Sequence, residues 1–443
     1  MTSNVAKTGL VKDLAERNSR DGPIRIGLIG CGEMGTDIVA RTAHMTGIEI
    51  AAIANLTPDN AHAAVRLAYG AEGHSCSVSA AGKIDGIIER RQIAVTDDSC
   101  LVLDSDLIDV VVDATGIPSV GADIGIRAMR SGKHLVMMNV EADVTVGTYL
   151  SDQARRHDVV YSLGAGDEPT ACMELIEFVS AMGHRIVVAG KGKNNPLRFD
   201  AVPSQYVDEA KRRNMNVRML VEFVEGSKTM VEMAAIANAT GLVPDKPGMH
   251  GPNATLDELH SVLVPSEDGG ILSGLGKVDY TVGKGVAPGV FVIAEMKHPR
   301  IRERMADLKM GKGPYYTFYR PYHLTSLEVP LTCARAMLYG RADMAPLDIP
   351  VAEVCAVAKR NLRPGEVLGQ IGETDYRAWT IEFMEARSAG AIPCGLLTGG
   401  VVTDAIECGA LLTNSNTRVC EADPIVRMRR LQDELVDASI AAN

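Results

Sequence analysis

The sequence predicts an α/β protein: an N-terminal doubly wound parallel sheet of Rossmann type, an α+β domain after it, and a small C-terminal β-clip. Three observations carry this. An apolar, β-branched run from Ile24 breaks into Gly30-Cys31-Gly32-Glu33-Met34-Gly35. Strand-like and helix-like stretches then alternate for about 140 residues, the pattern of an open parallel sheet. Past Pro169 the alternation stops, and past Pro350 short strands and turns take over. The expected domains are therefore 1–168, 169–349 and 350–443.

Residues 4–20 read as a short amphipathic helix, with Val5, Leu10, Val11 and Leu14 apolar. The strand from Ile24 feeds the glycine turn, and a helix over Thr36–Thr46 follows. In such a unit the first glycine permits the tight turn, the second lets a ligand approach the backbone, and the third lets helix and strand pack closely. Backbone N–H groups at the helix start can then hold a pyrophosphate. This makes Gly30, Cys31, Gly32, Glu33, Met34 and Gly35 candidate dinucleotide contacts. A second strand runs from Glu49 to Asn55. NAD-specific sites commonly place a carboxylate about 20 residues past the glycines, where it accepts from the ribose 2′-OH. Asn55 is uncharged, which removes repulsion against a 2′-phosphate and favours NADPH, with Thr57 and Arg66 as candidate phosphate contacts. The alternative is that Asn55 holds NAD through its amide.

Residues 59–70 read as a helix, and 71–92 as an insertion before the strand Ile93–Thr96. Further strands are expected over Ile108–Gly116, Lys133–Val140 and Val159–Leu163, with a helix over Gly121–Ser131. Cofactors bind at the carboxyl ends of such strands, which adds Thr115, Gly116, Asn139, Glu141 and Gly164 to the candidates.

In the second domain a helix over Thr170–Met182 leads to a strand over Arg185–Ala189, and Lys191, Lys193, Asn194 and Asn195 follow. Between His184 and Arg218 eight Lys/Arg stand against three acids in a chain of net charge −11, and that local reversal suggests an anionic ligand. Lys211, Arg212 and Arg213 fit a solvated helix face. Lys191 and Lys193, between glycines and amides, are candidates for the chemistry. Met219–Val224 reads as a strand and Thr229–Thr240 as a helix. Asp279–Val282 and Gly289–Met296 read as strands of an antiparallel sheet. Tyr315–His323 is the densest aromatic stretch; Arg320 can grip an anion bidentately, Tyr322 offers a hydroxyl, and His323 can exchange a proton. An aromatic strand with satisfied polar ends explains the same residues equally well.

The chain has 443 residues, 46% hydrophobic and 23% charged, as a globular protein does. No global basic face and no run of transmembrane length speaks for nucleic acid or a membrane as partner. The polar N-terminus lacks a signal-peptide core, and nine cysteines without a C-x-x-C pair fit reduced thiols, so a cytoplasmic location is expected.

After Pro350, Lys359-Arg360-Asn361-Leu362-Arg363-Pro364-Gly365-Glu366-Val367-Leu368 is similar to the SAF module, and a charged helix over Ala422–Ala438 closes the chain. Taken with the glycine turn and GKGKNNP, the sequence resembles the homoserine-dehydrogenase-like oxidoreductases that end in a SAF domain. Among them it is most similar to the 1-deoxy-D-xylulose 5-phosphate reductoisomerase-like enzymes. That resemblance implies an NADPH-dependent conversion of 1-deoxy-D-xylulose 5-phosphate to 2-C-methyl-D-erythritol 4-phosphate in isoprenoid precursor synthesis, inhibition by fosmidomycin, and a homodimer. It also implies a phosphorylated sugar as substrate. In the ordinary reductoisomerases a divalent metal held by carboxylates polarises the substrate. Mg or Mn is therefore implied by the chemistry, although Glu168, Glu222, Glu232 and Asp245 form no matching acidic cluster in the sequence. Two other readings stay open: a dehydrogenase of homoserine or of a small sugar alcohol or acid, and a nucleotide-sensing binding protein.

Overall fold

The computed structural model describes residues 8–70, 74–80, 82–194 and 197–442. They form two compact units. The first comprises Met1–Asp143, Tyr149–Asp167 and Leu324–Ala345; the second comprises Val144–Thr148, Glu168–His323 and Pro346–Asn443. The stretch expected to form a separate third domain thus lies within the second unit. Among the described residues no helix is long and apolar enough to cross a membrane.

The first unit is built on a sheet of seven strands: β1 (Ile24–Ile29), β2 (Ile48–Ala54), β3 (Ser75–Ser77), β4 (Ile93–Thr96), β5 (Val110–Asp113), β6 (His134–Met137) and β7 (Tyr161–Leu163). All neighbours are parallel, in the order β3-β4-β2-β1-β5-β6-β7. The inner strands are buried almost without interruption, as helices on both faces of a parallel sheet require. Ile24, Ile26, Leu28, Ile50, Ile53, Val110 and Val112 pack with Ile38 and Val39 of the helix Glu33–Thr42. Strand order reverses at β1, between β2 and β5, so a crevice opens outside the carboxyl ends of these strands.

Local departures from the sequence reading have simple causes. The first helix after the turn begins at Glu33, three residues before the expected start, because Gly30 at φ +95° completes the turn. The insertion supplies the edge strand β3 and the helix Ile84–Glu89. The segment Leu324–Ala345 returns to this unit, and its helix Val329–Tyr339 buries Val329, Cys333 and Ala334 in the same core.

The second unit holds a five-stranded sheet: β8 (Arg185–Gly192), β9 (Val243–Pro244), β10 (Lys277–Thr281), β11 (Val290–Glu295) and β12 (Tyr315–Arg320), in the order β12-β11-β8-β10-β9. The sheet is mixed, which corrects the antiparallel expectation: β11 runs antiparallel to β8 and β12, but β10 runs parallel to β8 and β9. A second correction concerns Met219–Val224, which is helical within Val217–Glu225. Asn216 caps that helix by accepting from the N–H groups of Arg218 and Met219, and Leu220, Val221 and Val224 bury one face. The final strands β13 (Ala352–Ala358) and β14 (Tyr376–Glu382) pair antiparallel, as do β15 (Val401–Val402) and β16 (Thr417–Arg418). The Lys359-Arg360 pair of the SAF-like stretch is engaged in ion pairs: Lys359 Nζ lies 2.6 Å from buried Glu225, and Arg360 reaches Glu366 and Asp375 at 2.6 and 2.8 Å.

A third correction bears on function. Lys191 is not in a loop after β8 but inside it, between Gly190 and Gly192. Both glycines are sterically required. A Cβ on Gly190 would stand 1.7 Å from the Asp279 carbonyl oxygen, and one on Gly192 would stand 2.2 Å from the Ala287 nitrogen. Gly190→Ala is expected to lower stability by more than about 3 kcal/mol, because backbone rather than a side chain must move. Gly274→Ala, with no atom within 4 Å of the added carbon, should stay within about 0.5 kcal/mol. Urea midpoints of the two variants check this, and a near-neutral Gly190→Ala would contradict the packing described.

Candidate functional site

In the first unit the turns after β1, β5, β6 and β7 lie side by side. Ala114 N donates to Ile29 O (2.8 Å), Met138 N to Asp113 O (3.0 Å), and Gly164 N to Met137 O (3.0 Å). The three glycines of the first turn have distinct surroundings. A Cβ on Gly30 would meet Ala114 O at 2.5 Å and one on Gly35 would meet Gly30 O at 2.4 Å, whereas Gly32 faces open space. Thus Gly30 and Gly35 close the turn against β5 and the following helix, and Gly32 leaves backbone accessible. The helix from Glu33 has no side-chain cap, and Glu33 and Met34 are exposed. Its leading N–H groups are therefore available to an anion. Beside the turn lies a cleft of about 280 Å³ lined by Cys31, Gly32, Thr36, Asn60, Ala63, Ala64 and Leu67. Burial pushes the Cys31 thiol pKa up, so this cysteine stays a neutral wall.

Asn55 has a local task. Its Oδ1 accepts the Cys31 N–H (2.9 Å) and its Nδ2 donates to Thr57 O (2.8 Å), tying the glycine turn to the end of β2. Thr57 precedes the helix Pro58–Tyr69, and Arg66 is exposed on that helix. Thr115 donates from both its N (3.1 Å) and Oγ1 (2.7 Å) to Asp113, and Gly116 follows at φ +67°. Asn139 caps the helix Val140–Arg156 by accepting from Ala142 N, and Glu141 is half-buried in its first turn. Gly164 is buried; a Cβ there would stand 3.1 Å from Val329 Cγ2. The donors and the open backbone at Gly32 fit the pyrophosphate of a dinucleotide.

In the second unit the sheet register brings chemistry-bearing residues together. Lys191 on β8 pairs with Val290 on β11, and Val290 with Arg320 on β12, so Lys191 and Arg320 share a sheet face two strands apart. Glu168 opens the helix Glu168–Ala181, and Glu232 lies on Ser227–Thr240, a helix buried along most of its length. Lys191 Nζ donates to Glu168 Oε1 (2.7 Å) and to Glu232 Oε2. His323 Nε2 lies 3.4 Å from the same Glu168 oxygen. Lys193 is also buried; its Nζ donates to Phe223 O (2.6 Å) and its N to Thr281 O (2.7 Å). Arg320 pairs with Glu174 at 3.0 Å and stacks on the half-exposed Tyr322 ring at 4.8 Å. Asn194 is exposed, and Asn195 lies outside the described residues.

The two lysines differ in kind. Burial alone would drive the proton off Lys191, but the Glu168 and Glu232 carboxylates outweigh it and hold the ammonium well above the ordinary lysine range. Lys191 is a fixed cation. Lys193 is pushed down to about 8 by burial first and by the Lys191 charge second, against a smaller pull from Glu232. It can therefore exchange a proton near neutral pH. Glu168 and Glu232, which the sequence offers only as metal candidates, are the partners that set this arrangement. The one sequence signal for Glu232 is a carboxylate inside the otherwise apolar run 230–237. Of the other metal candidates, Glu222 pairs with Arg218, and Asp245 pairs with His250 (2.7 Å) and Lys277 (2.9 Å). The Lys191 ammonium occupies the space between Glu168 and Glu232, so these two carboxylates do not jointly hold a divalent metal, whereas Glu168 and His323 belong to a group of ligand atoms lying within 4.8 Å of one another.

Residues 166–329, less than half of the chain, match the family described as oxidoreductase DRL, catalytic domain. No curated protein matches. Among solved structures, a probable dehydrogenase from Thermotoga maritima is 14% identical, with 61% of this chain and 72% of that one covered and a TM-score of 0.36. The scyllo-inositol dehydrogenase from Lactobacillus casei, solved with NAD(H) and scyllo-inositol, is 15% identical, with 61% and 73% covered and a TM-score of 0.34. A DOX-P reductoisomerase with fosmidomycin and magnesium is 16% identical, with 47% of this chain and 56% of that one covered and a TM-score of 0.34. These structures carry no argument about substrate. The family match and the glycine-turn unit support an oxidoreductase with a nicotinamide cofactor.

Removing one partner of the buried triad should be costly, since it leaves a charge without compensation. Glu232→Gln is expected to lose about 3 to 5 kcal/mol in urea denaturation, and adding Lys191→Met to it should recover a large part of that loss. A Glu232→Gln variant within 1 kcal/mol of wild type would contradict the buried pairing.

Proposed function

We propose that the protein is an NAD(P)-dependent dehydrogenase that interconverts an alcohol and a carbonyl on a small polar compound of the sugar-alcohol or sugar-acid class. The observation that carries this is the pairing of Lys193, buried and able to lose its proton near neutrality, with Lys191, a cation held charged by two carboxylates. Hydride chemistry belongs to the nicotinamide when bound, for which the open Gly32 backbone and the uncapped helix from Glu33 supply the anchoring groups. The chain's own share is the proton and the charge. In the oxidising direction neutral Lys193 takes the hydroxyl proton as the carbon gives up hydride. In the reducing direction its ammonium returns that proton to the developing alkoxide. Lys191 supplies a fixed positive field beside that alkoxide. Glu168, partly exposed and shared by Lys191 and His323, can accept from a neighbouring substrate hydroxyl.

The finer reading is the NADPH-dependent reductoisomerase acting on 1-deoxy-D-xylulose 5-phosphate. It draws support from the match over residues 166–329 and from the two lysines. It needs a cationic grip for a phosphate, and here the cations are largely engaged: Lys191 by Glu168 and Glu232, Arg320 by Glu174, Arg213 by Glu209, Arg218 by Glu222. It also needs a polarising metal, which Lys191 keeps from lying between Glu168 and Glu232. The dehydrogenase reading asks for neither.

Purified protein assayed with NADP⁺ and NAD⁺ on a panel of unphosphorylated polyols and sugar acids should reduce one of the cofactors. Consumption of NADPH with 1-deoxy-D-xylulose 5-phosphate and no polyol activity would favour the reductoisomerase instead. The pH dependence follows from Lys193. Oxidation, which needs the free amine, should rise as pH increases through about 8, and reduction, which needs the ammonium, should fall over the same range. Lys193→Met should lose about 100-fold in kcat with little change in cofactor affinity. Asn55→Asp keeps the acceptor for Cys31 N–H but places a charge at the end of β2; binding of NADPH should weaken relative to NADH, and an unchanged preference would place the 2′ position elsewhere.

A further inference from the structure

Two buried polar atoms in the first unit lack hydrogen-bond partners among the described residues, and they face each other. They are Oδ2 of Asp113, at the end of β5, and Nδ2 of Asn139, just past β6. Both come up against Gly121 of the helix Pro118–Arg130: a Cβ there would stand 2.3 Å from the Asp113 oxygen and 3.0 Å from the Asn139 nitrogen. The other end of each side chain is occupied. Asp113 Oδ1 accepts both donors of Thr115, and Asn139 Oδ1 accepts Ala142 N at 3.1 Å as the cap of its helix. The cap fixes which way the amide points, so its nitrogen is the end that faces the carboxylate.

We propose that Asp113 and Asn139 are a positioning pair that lets one proton control both turns of the nicotinamide end of the cofactor site. This rests on the dinucleotide reading of the first unit. With Asp113 ionised, charge-assisted bonds hold the Thr115 turn, and the amide nitrogen of Asn139 faces a negative oxygen while its own oxygen keeps the cap. With Asp113 protonated, the bonds to Thr115 weaken. The new O–H on the Oδ2 side then faces the amide nitrogen of Asn139, a donor, and the amide can offer its oxygen instead only by rotating off Ala142 N. Protonation therefore loosens the Thr115–Gly116 turn and the start of the helix at Val140 together.

The surroundings place this proton in an accessible range. Burial pushes Asp113 up to about 6, against smaller opposing effects of Thr115 and Asn139. Besides these, the titratable group facing it is Tyr161 of β7, whose hydroxyl donates to Asp143 at 2.6 Å. Asp143 is itself raised to about 6 by burial and serves as the control.

Equilibrium fluorescence titration with NADPH and with NADH between pH 5 and 8 tests the pair. The 2′-phosphate of NADPH titrates near pH ~6 itself, so the informative quantity is wild type against variant with the same cofactor. Wild-type affinity should weaken as pH falls through about 6, approaching tenfold if binding shifts the Asp113 pKa by about one unit. Asp113→Asn should remove that step, while Asp143→Asn keeps it. Thr115→Val retains Asp113 but deletes one bond to its carboxylate, so the midpoint of the step should move to higher pH, which a merely structural role would not produce. An Asp113→Asn variant with the wild-type step, or an unmoved midpoint in Thr115→Val, overturns the proposal. Absence of binding of either cofactor by wild type at every pH overturns the dinucleotide reading itself, and with it this pair.

Discussion

The second unit depends on one buried ammonium. Lys191 sits in a central strand, where an uncompensated charge would be expelled, and two carboxylates from two different helices converge on it. That constraint fixes much else. Helices Glu168–Ala181 and Ser227–Thr240 must present Glu168 and Glu232 to the same strand. Gly190 and Gly192 must stay glycine so that β10 and the 286–287 turn can pack against β8. The retained charge of Lys191 then helps depress the neighbouring Lys193, separating two chemically identical side chains into a permanent cation and a proton carrier.

The first unit solves a different problem, which is exposing backbone donors at a sheet edge without exposing the sheet. Gly30 and Gly35 are closed by contacts that exclude a side chain, and Gly32 between them is open. Asn55 keeps this turn in register with β2 by using both ends of its amide. The turns after β5 and β6 rest on two buried side chains: Asp113 accepts both donors of Thr115, and Asn139 accepts Ala142 N.

How much of this is legible in the sequence depends on the range of the interactions. The strand–glycine turn–helix of residues 24–42 is local, and its pattern survives in the structure with only the helix start displaced. Strand β4 falls where its apolar run places it. Met219–Val224 is by itself too short for periodicity to separate strand from helix; the Asn216 cap and the helical spacing of Arg218, Glu222 and Glu225 around it settle it as a helix. The direction of β10 follows from pairing with β8, which no local pattern encodes. Among the candidate site residues, Lys191 and Lys193 stand out because they follow a strand between glycines and amides in a locally basic stretch, and Arg320 and His323 because they close the densest aromatic stretch. Glu168 and Glu232 do not, since they reach Lys191 from 23 and 41 residues away and carry no motif.

The central claim is that Lys191 stays charged throughout while Lys193 loses its proton at about pH 8. The most direct measurement is an NMR titration of the lysine Nζ resonances with Lys193 assigned by substitution, which needs neither substrate nor cofactor. The account predicts a Lys193 pKa near 8, with Lys191 showing no titration up to the pH at which the protein unfolds. Two lysines titrating together near the ordinary value of about 10.4 would contradict it.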